Sequence, residues 1–133
     1  MIIVDSSAWI ELLRGTESDT HRRLRTLVSQ EADLAITELI FMELLSGAGS
    51  NRAIRELRGR LLAYPFARLE GLADFEEAAA IYRGCRNAGE TPRRLADCLI
   101  AATAIRVGGE LLHMDADFEV IARHSPLQVL EPG

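Results

Sequence analysis

The chain of 133 residues contains no lysine, because all 15 of its basic residues are arginine. Without lysine there is no phosphate-binding loop of the Gly-Lys-Ser/Thr kind and no Schiff-base chemistry, nor a receiver-type phosphoacceptor site, which needs a lysine beside its aspartates. Cysteine is almost as scarce. Cys85 and Cys98 both sit inside apolar helical patterns, where a free thiol behaves as a small hydrophobe, so neither a disulfide framework nor a thiolate zinc site follows. Aromatic residues make up 5% of the chain, which leaves little for extensive base stacking. Long apolar runs are absent too: Met1 opens directly onto a short apolar segment ended by Asp5, with no charged leader, cleavage site or stretch of membrane-spanning length. The expectation is a cytoplasmic protein in a reducing compartment, with no membrane association. Acids outnumber bases, 20 to 15, for a formal net charge of -5. That balance argues at first against a nucleic-acid partner.

What the chain has is apolar residues, 48% of the total, enough at this length for one domain with a core and too little for two. Ile2-Ile3-Val4 is a β-branched run closed by Asp5-Ser6-Ser7, the pattern of a strand buried on both faces and followed by a helix cap. A short helix is predicted over Ser7–Leu13, a second from Ser18 to about Ala32, a strand at Leu34–Ile36, and a helix over Glu38–Leu45 that Thr37 caps. Further helices are predicted over Asn51–Ala63, Leu72–Ala88 and Leu95–Val107, with a possible short strand at Pro65–Ala67. A strand over Glu110–Met114, a helix from about Phe118 to Arg123 and a strand over Leu127–Leu130 complete the chain. Strands and helices alternate without a hairpin signal, so the expected architecture is α/β, an open parallel sheet covered by helices.

Two of these strands end in an aspartate, Asp5 and Asp115, and ligands bind at the carboxyl ends of the strands in an open parallel sheet. Glu43 interrupts the apolar run Leu39–Leu45, and Asp97 interrupts Leu95–Ala102. A carboxylate in such surroundings is costly unless it is paired or coordinates a metal; with no lysine, its partner is an arginine, a helix terminus or a cation. Carboxylates that converge without histidine or thiolate suit a hard ion, Mg²⁺ or Mn²⁺. Such an ion activates water for in-line attack on a phosphodiester. Each acid also has a structural alternative: Asp5 as a helix cap, Asp97 as a cap or dipole partner, Glu43 on a narrow solvated stripe, and Asp117 as the cap of the last helix.

The opening Ile2–Trp9, Thr37 followed by Glu43, the run Ala96–Ala104 and the turn Met114–Phe118 resemble the PIN-domain nucleases, specifically the VapC toxins of bacterial toxin-antitoxin pairs. The resemblance runs over essentially the whole chain. It implies one PIN-like domain over residues 1–133, a three-layer α/β/α fold with a short parallel sheet. It also implies an endoribonuclease dependent on Mg²⁺ or Mn²⁺ that cuts structured RNA such as tRNA or rRNA and inhibits translation, a VapB-type antitoxin that covers the site, and a homodimer. By position, Asp5 and Asp97 are its direct metal ligands, Glu43 and Asp115 complete a quartet, and Asp117 is a fifth, supporting acid. His113 stands where the family commonly has threonine or serine, which leaves it as a donor behind the site or a core histidine. Ser6, Ser7 and Thr37 are supporting residues. No nucleophile elbow surrounds the two serines, whose hydroxyls are expected to hold water or phosphate.

Residues 50–68 carry Arg52, Arg55, Arg58, Arg60 and Arg68 against Glu56 alone, and residues 83–94 carry Arg83, Arg86, Arg93 and Arg94 against Glu90. Arginine suits phosphate through its bidentate fork. Arg52, Arg55, Arg58, Arg60, Arg86, Arg93 and Arg94 are therefore candidate RNA contacts, with recognition leaning on shape and backbone. Two rival readings remain: an aspartate-dependent phosphatase or phosphotransferase using Asp115 and Asp117, and a non-catalytic metal-binding interaction domain. The five assigned acids equal the whole formal net charge of -5, so the acidity that argued against RNA is concentrated in the expected metal pocket.

Overall fold

A computed structural model describes all residues, 1–133. The β-branched run at the N-terminus is strand β1 (Ile2–Val4), and Asp5 caps helix α1 (Ser6–Arg14), which Gly15 ends in the left-handed conformation at φ 59°. Ser18 caps α2 (Asp19–Ser29), Thr37 caps α3 (Glu38–Ser46) after β2 (Leu34–Ala35), and Ser50 caps α4 (Asn51–Leu61). Each of these side-chain oxygens accepts from a backbone N–H of the first turn, which a helix start otherwise leaves unpaired. The chain continues through α5 (Leu72–Asn87), α6 (Leu95–Val107), β3 (Glu110–Leu112), α7 (Ala116–Arg123) and β4 (Gln128–Val129).

The sheet is parallel throughout, in the order β2-β1-β3-β4. Successive strand residues face opposite sides, and Ile3, Val4, Leu34, Ala35, Leu111 and Leu112 are all buried, so helices cover both faces. The helices fall into two packed groups, α1 to α4 and α5 to α7, that meet where α3 touches α6. This is the three-layer α/β/α arrangement. The chain leaves β1 for β2 on one side, while β3 leads to β4 on the other, so the crevice of an open parallel sheet lies at the carboxyl ends of β1 and β3. Asp5 directly follows β1, and its N–H bonds Leu112 O at 3.0 Å.

Several local expectations are corrected. The strand expected over Glu110–Met114 ends at Leu112, because the Met114 N–H turns to bond Ser7 Oγ and the Asp115 N–H to bond His113 Nδ1. Pro65–Ala67 contributes a single parallel bridge, Phe66 to Ile36, rather than a strand. The second helix stops at Ser29 rather than near Ala32, since Glu31 takes a positive φ of 52°. The last helix starts at Ala116, two residues earlier than expected, and its cap is Asp115 rather than Asp117. No helix is long and apolar enough to cross a membrane.

Candidate metal centre

Asp5 is completely buried, and its carboxylate is used unevenly. Oδ2 accepts from the Ser7 N–H at 3.0 Å and the Ser7 hydroxyl at 2.6 Å, whereas Oδ1 is buried with no partner. Burial drives its pKa up from the ordinary value, against the lowering effect of the Ser7 bonds. The same Ser7 hydroxyl accepts from the Met114 N–H at 2.9 Å, so it ties the end of β3 to the start of α1. The Ser6 hydroxyl lies 3.5 Å from Glu43 Oε1.

Asp97 is also completely buried, on the first turn of α6, where the helix dipole favours an anion. It is not the helix cap, since that position belongs to Arg94. Its Oδ1 accepts from Arg94 Nη2 at 2.8 Å, and Oδ2 is buried without a partner. Burial pushes its pKa up to about 7; Arg94 opposes the rise, and the nearby charges of Asp5 and Asp115 add to it. Glu43, half-buried on α3, has its pKa raised by burial and then by the charge of Asp5, against the lowering effect of Arg94.

Asp115 and Asp117 come from the start of α7. Asp115 Oδ1 accepts from the Asp117 N–H at 3.0 Å and from Arg93 Nη2 at 2.9 Å, while Asp117 Oδ2 accepts from Arg93 Nε at 2.9 Å and from the Arg93 backbone N–H at 3.1 Å. His113 has both ring nitrogens engaged: Nδ1 accepts from the Asp115 N–H at 3.0 Å, and Nε2 lies 3.1 Å from Glu119. Its ring packs on Phe118 with centroids 5.3 Å apart. The histidine thus holds the turn behind the site. Thr37 is buried and caps α3 through its hydroxyl, 3.2 Å from the Ile40 N–H.

These residues pass a test of fit to a divalent cation. Two fully buried carboxylate oxygens without partners are costly unless a cation completes them. The donor set is all oxygen, as a hard ion requires, and Asp97, Asp115 and Asp117 each bring one oxygen within 4.8 Å of the others. A hollow of about 350 Å³ lined by Ile10, Arg14, Glu43 and Arg60 leads from Glu43 along α4. A second, of about 410 Å³, lies over the acids between Ser6, Ser7, Ile10, Arg93, Arg94 and Asp115.

The arginines singled out from the sequence separate into two kinds. Arg55, Arg58 and Arg60 on α4 and Arg86 on α5 are exposed and make no ion pair, and Arg52 pairs only with Glu56 one turn along, at 3.0 Å. Arg93 and Arg94 instead turn onto the acids. The clamp of Arg94 on Glu43 and Asp97 was missed by reading charge runs, although the spacing of Arg94 and Asp97, three residues apart at the start of one helix, was there to find.

The pattern of the PIN domain family matches residues 2–124, which carry every one of these acids. The chain belongs to the PIN-domain family. This PIN domain is 46% identical over 129 residues to the ribonuclease VapC11 of Mycobacterium tuberculosis, covering 96% of each chain, which places it in the VapC branch. Its fold matches VapBC2 from Rickettsia felis, a structure bound to a promoter DNA fragment, with a TM-score of 0.75 at 15% identity over 98% of both chains. It also matches a toxin-antitoxin complex from Klebsiella pneumoniae with a TM-score of 0.74 at 21% identity, covering 100% of this chain and 98% of that one. At those identities the shared property is the PIN fold.

Proposed function

We propose that this PIN domain, residues 1–133, is a divalent-metal-dependent endoribonuclease and the toxin of a VapBC-type pair, cutting structured RNA, tRNA or rRNA, and so inhibiting translation. The observation that carries the proposal is the pair of buried, unpartnered oxygens, Asp5 Oδ1 and Asp97 Oδ2, at the carboxyl edge of the sheet. Asp5 and Asp97 hold the ion directly, Mg²⁺ or Mn²⁺, while Glu43 and Asp115 complete the acidic quartet and Asp117 supports it from behind Arg93. A divalent ion there supplies acidification of a water and neutralisation of charge developing on the phosphate. Ser7 and His113 fix the Met114–Asp117 turn so that Asp115 faces the cleft. Arg93 and Arg94, which line the hollow over the acids, face the phosphate of a bound strand, and the α4 arginines take the flanking phosphates along the groove from Glu43 to Arg60.

A VapB-type antitoxin as partner, a homodimer and a cytoplasmic location complete the reading. The antitoxin is supported by fold neighbours solved as VapBC and toxin-antitoxin complexes. The chain's last strand, Gln128–Val129, lies beyond the matched residues and still pairs with β3, which supports a domain that includes the C-terminus. The test is to incubate the purified, antitoxin-free protein with total RNA, with and without Mg²⁺ or Mn²⁺, and to map new ends. Discrete ends that appear only with metal are the expected result; no cleavage under either metal overturns the proposal.

A further inference from the structure

Arg94 touches acids from three separate elements. Its Nη1 lies 2.9 Å from Glu43 Oε2 on α3, and its Nη2 lies 2.8 Å from Asp97 Oδ1 on α6 and 3.9 Å from Asp115 Oδ2 at the head of α7. Arg93 bridges Asp115 and Asp117 in the same way. Asp5 alone pairs with neither arginine. The acids of the cleft therefore divide. Asp5 Oδ1 and Asp97 Oδ2 have no partner, whereas Glu43, Asp115 and Asp117 already face a guanidinium.

The backbone position of Arg94 points the same way. It is the N-cap residue of α6 and makes no side-chain cap bond. That position favours Ser, Thr, Asp or Asn, and a helix N-terminus disfavours a cation. Helix formation does not account for an arginine here, but the three acids do. A guanidinium stays charged at any working pH and its planar fork can bridge two carboxylates at once. Asp97 is the shared member, with one oxygen on Arg94 and the other unpartnered.

We infer that Arg94 is the built-in second cation of this centre: one divalent ion binds against Asp5 and Asp97, and the guanidinium occupies the place between Glu43, Asp97 and Asp115 that a second ion would otherwise take. The inference rests on the metal-dependent reading above and narrows it to one ion per chain. Two-ion centres place their metals about 3.5 to 4 Å apart, and Arg94 already holds carboxylates that a second ion would need.

The test counts Mn²⁺ bound to the purified chain after chelator treatment, by the electron paramagnetic resonance signal of free Mn²⁺, for the wild type, Arg94→Met, Arg94→Gln and Arg94→Lys. One ion per chain in the wild type and in Arg94→Lys, which keeps the charge, with two in the uncharged variants, is the expected result. Two ions in the wild type, or one in an uncharged variant that circular dichroism shows to be folded, overturns the role of Arg94. If both uncharged variants unfold, the wild-type count decides, one ion supporting the inference and two overturning it. A wild type that binds no Mn²⁺ removes the metal-dependent reading itself.

Discussion

Asp74 and Asp97 occupy matching places in the molecule. Each is buried in the first turn of its helix, α5 or α6, the two helices pack against each other, and each faces an arginine. At Asp74 the pairing is complete: Arg106 Nε donates to Oδ1 at 2.9 Å, Arg106 Nη2 to Oδ2 at 3.1 Å, and the Glu70 N–H to Oδ2 at 2.8 Å. The Arg106 hydrogen bonds hold its carboxyl below the ordinary value. At Asp97 one oxygen has Arg94 and the other has nothing, and burial carries the group to about 7. A buried carboxylate that its arginine saturates fastens one helix to another. One that its arginine only half satisfies, among further acids, costs stability and marks a candidate functional site.

Exchanging each aspartate for asparagine separates the two roles most directly. Asp97→Asn, and equally Asp5→Asn, should lower RNA cleavage by about 10³-fold or more, the loss of several kcal/mol of charge stabilisation at the reacting phosphate. Its unfolding free energy at pH 7, from urea titration, should stay within about 1 kcal/mol of wild type, because a strained charge has been replaced by a neutral group. An Asp97→Asn protein that cuts RNA at the wild-type rate would show that the unpartnered oxygen has no catalytic use.

Asp74→Asn should do the reverse, keeping cleavage while losing stability by about 2 kcal/mol, below the cost of breaking a fully buried pair because Arg106 is 27% exposed. Equilibrium urea unfolding measures this, and unchanged stability would deny Asp74 its fastening role.

Titration in the presence of a chelator sharpens the contrast through its sign. Asp97 has its pKa raised, so the stability tied to its proton is fully present below its ordinary value of 3.8 and is lost as pH climbs through about 7. Asp74 has its pKa lowered, so its contribution is present above 3.8 and is lost only as pH falls below that. Unfolding free energy should therefore decline between about pH 4 and 7. Part of that decline should vanish in Asp97→Asn and persist in Asp74→Asn, with Asp5 and Glu43, also raised, supplying the remainder. A wild-type profile that rises over this interval contradicts the assignment. Saturating Mg²⁺ should abolish the decline, since a bound cation displaces the Asp97 proton.

The smallest effects belong to arginines that touch no acid. Arg55→Gln, Arg58→Gln and Arg60→Gln should each leave stability within about 0.5 kcal/mol. Each should also reduce the slope of log RNA affinity against log salt by about 1. Salt-dependent binding to an RNA hairpin, measured with inactive Asp97→Asn protein, checks this; an unchanged slope in all three would move the RNA path away from α4.

Much of the fold was legible because its signals are local. The β-branched run Ile2–Val4 closed by an aspartate, the cap Thr37, and the nearly unbroken apolar run of α6 depend only on neighbours in the chain. The misread boundaries lie where backbone groups leave regular structure for a distant side chain. The end of β3 is set by Ser7, more than a hundred residues away, through the Met114 N–H. The cap of α7 fell to Asp115 because Asp117 is drawn instead to the backbone and side chain of Arg93.

That carboxylates gather at one sheet edge follows from the order of residues along the chain. Alternating strands and helices make a parallel sheet, a parallel sheet exposes its strand ends on one side, and Asp5 and Asp115 follow two neighbouring strands. The absence of lysine also meant that every counter-charge within the chain had to be arginine. How those arginines are distributed depends on the packing of the folded chain. Arg55, Arg58 and Arg60 remain free on α4, while Arg93 and Arg94 are drawn into the acids. The reason is distance: Arg94 meets Glu43 across 51 residues of chain and Arg93 meets Asp117 across 24. Composition records that such charges exist, whereas burial and the packing of α3, α6 and α7 determine which oxygens they reach and which two they leave unpartnered.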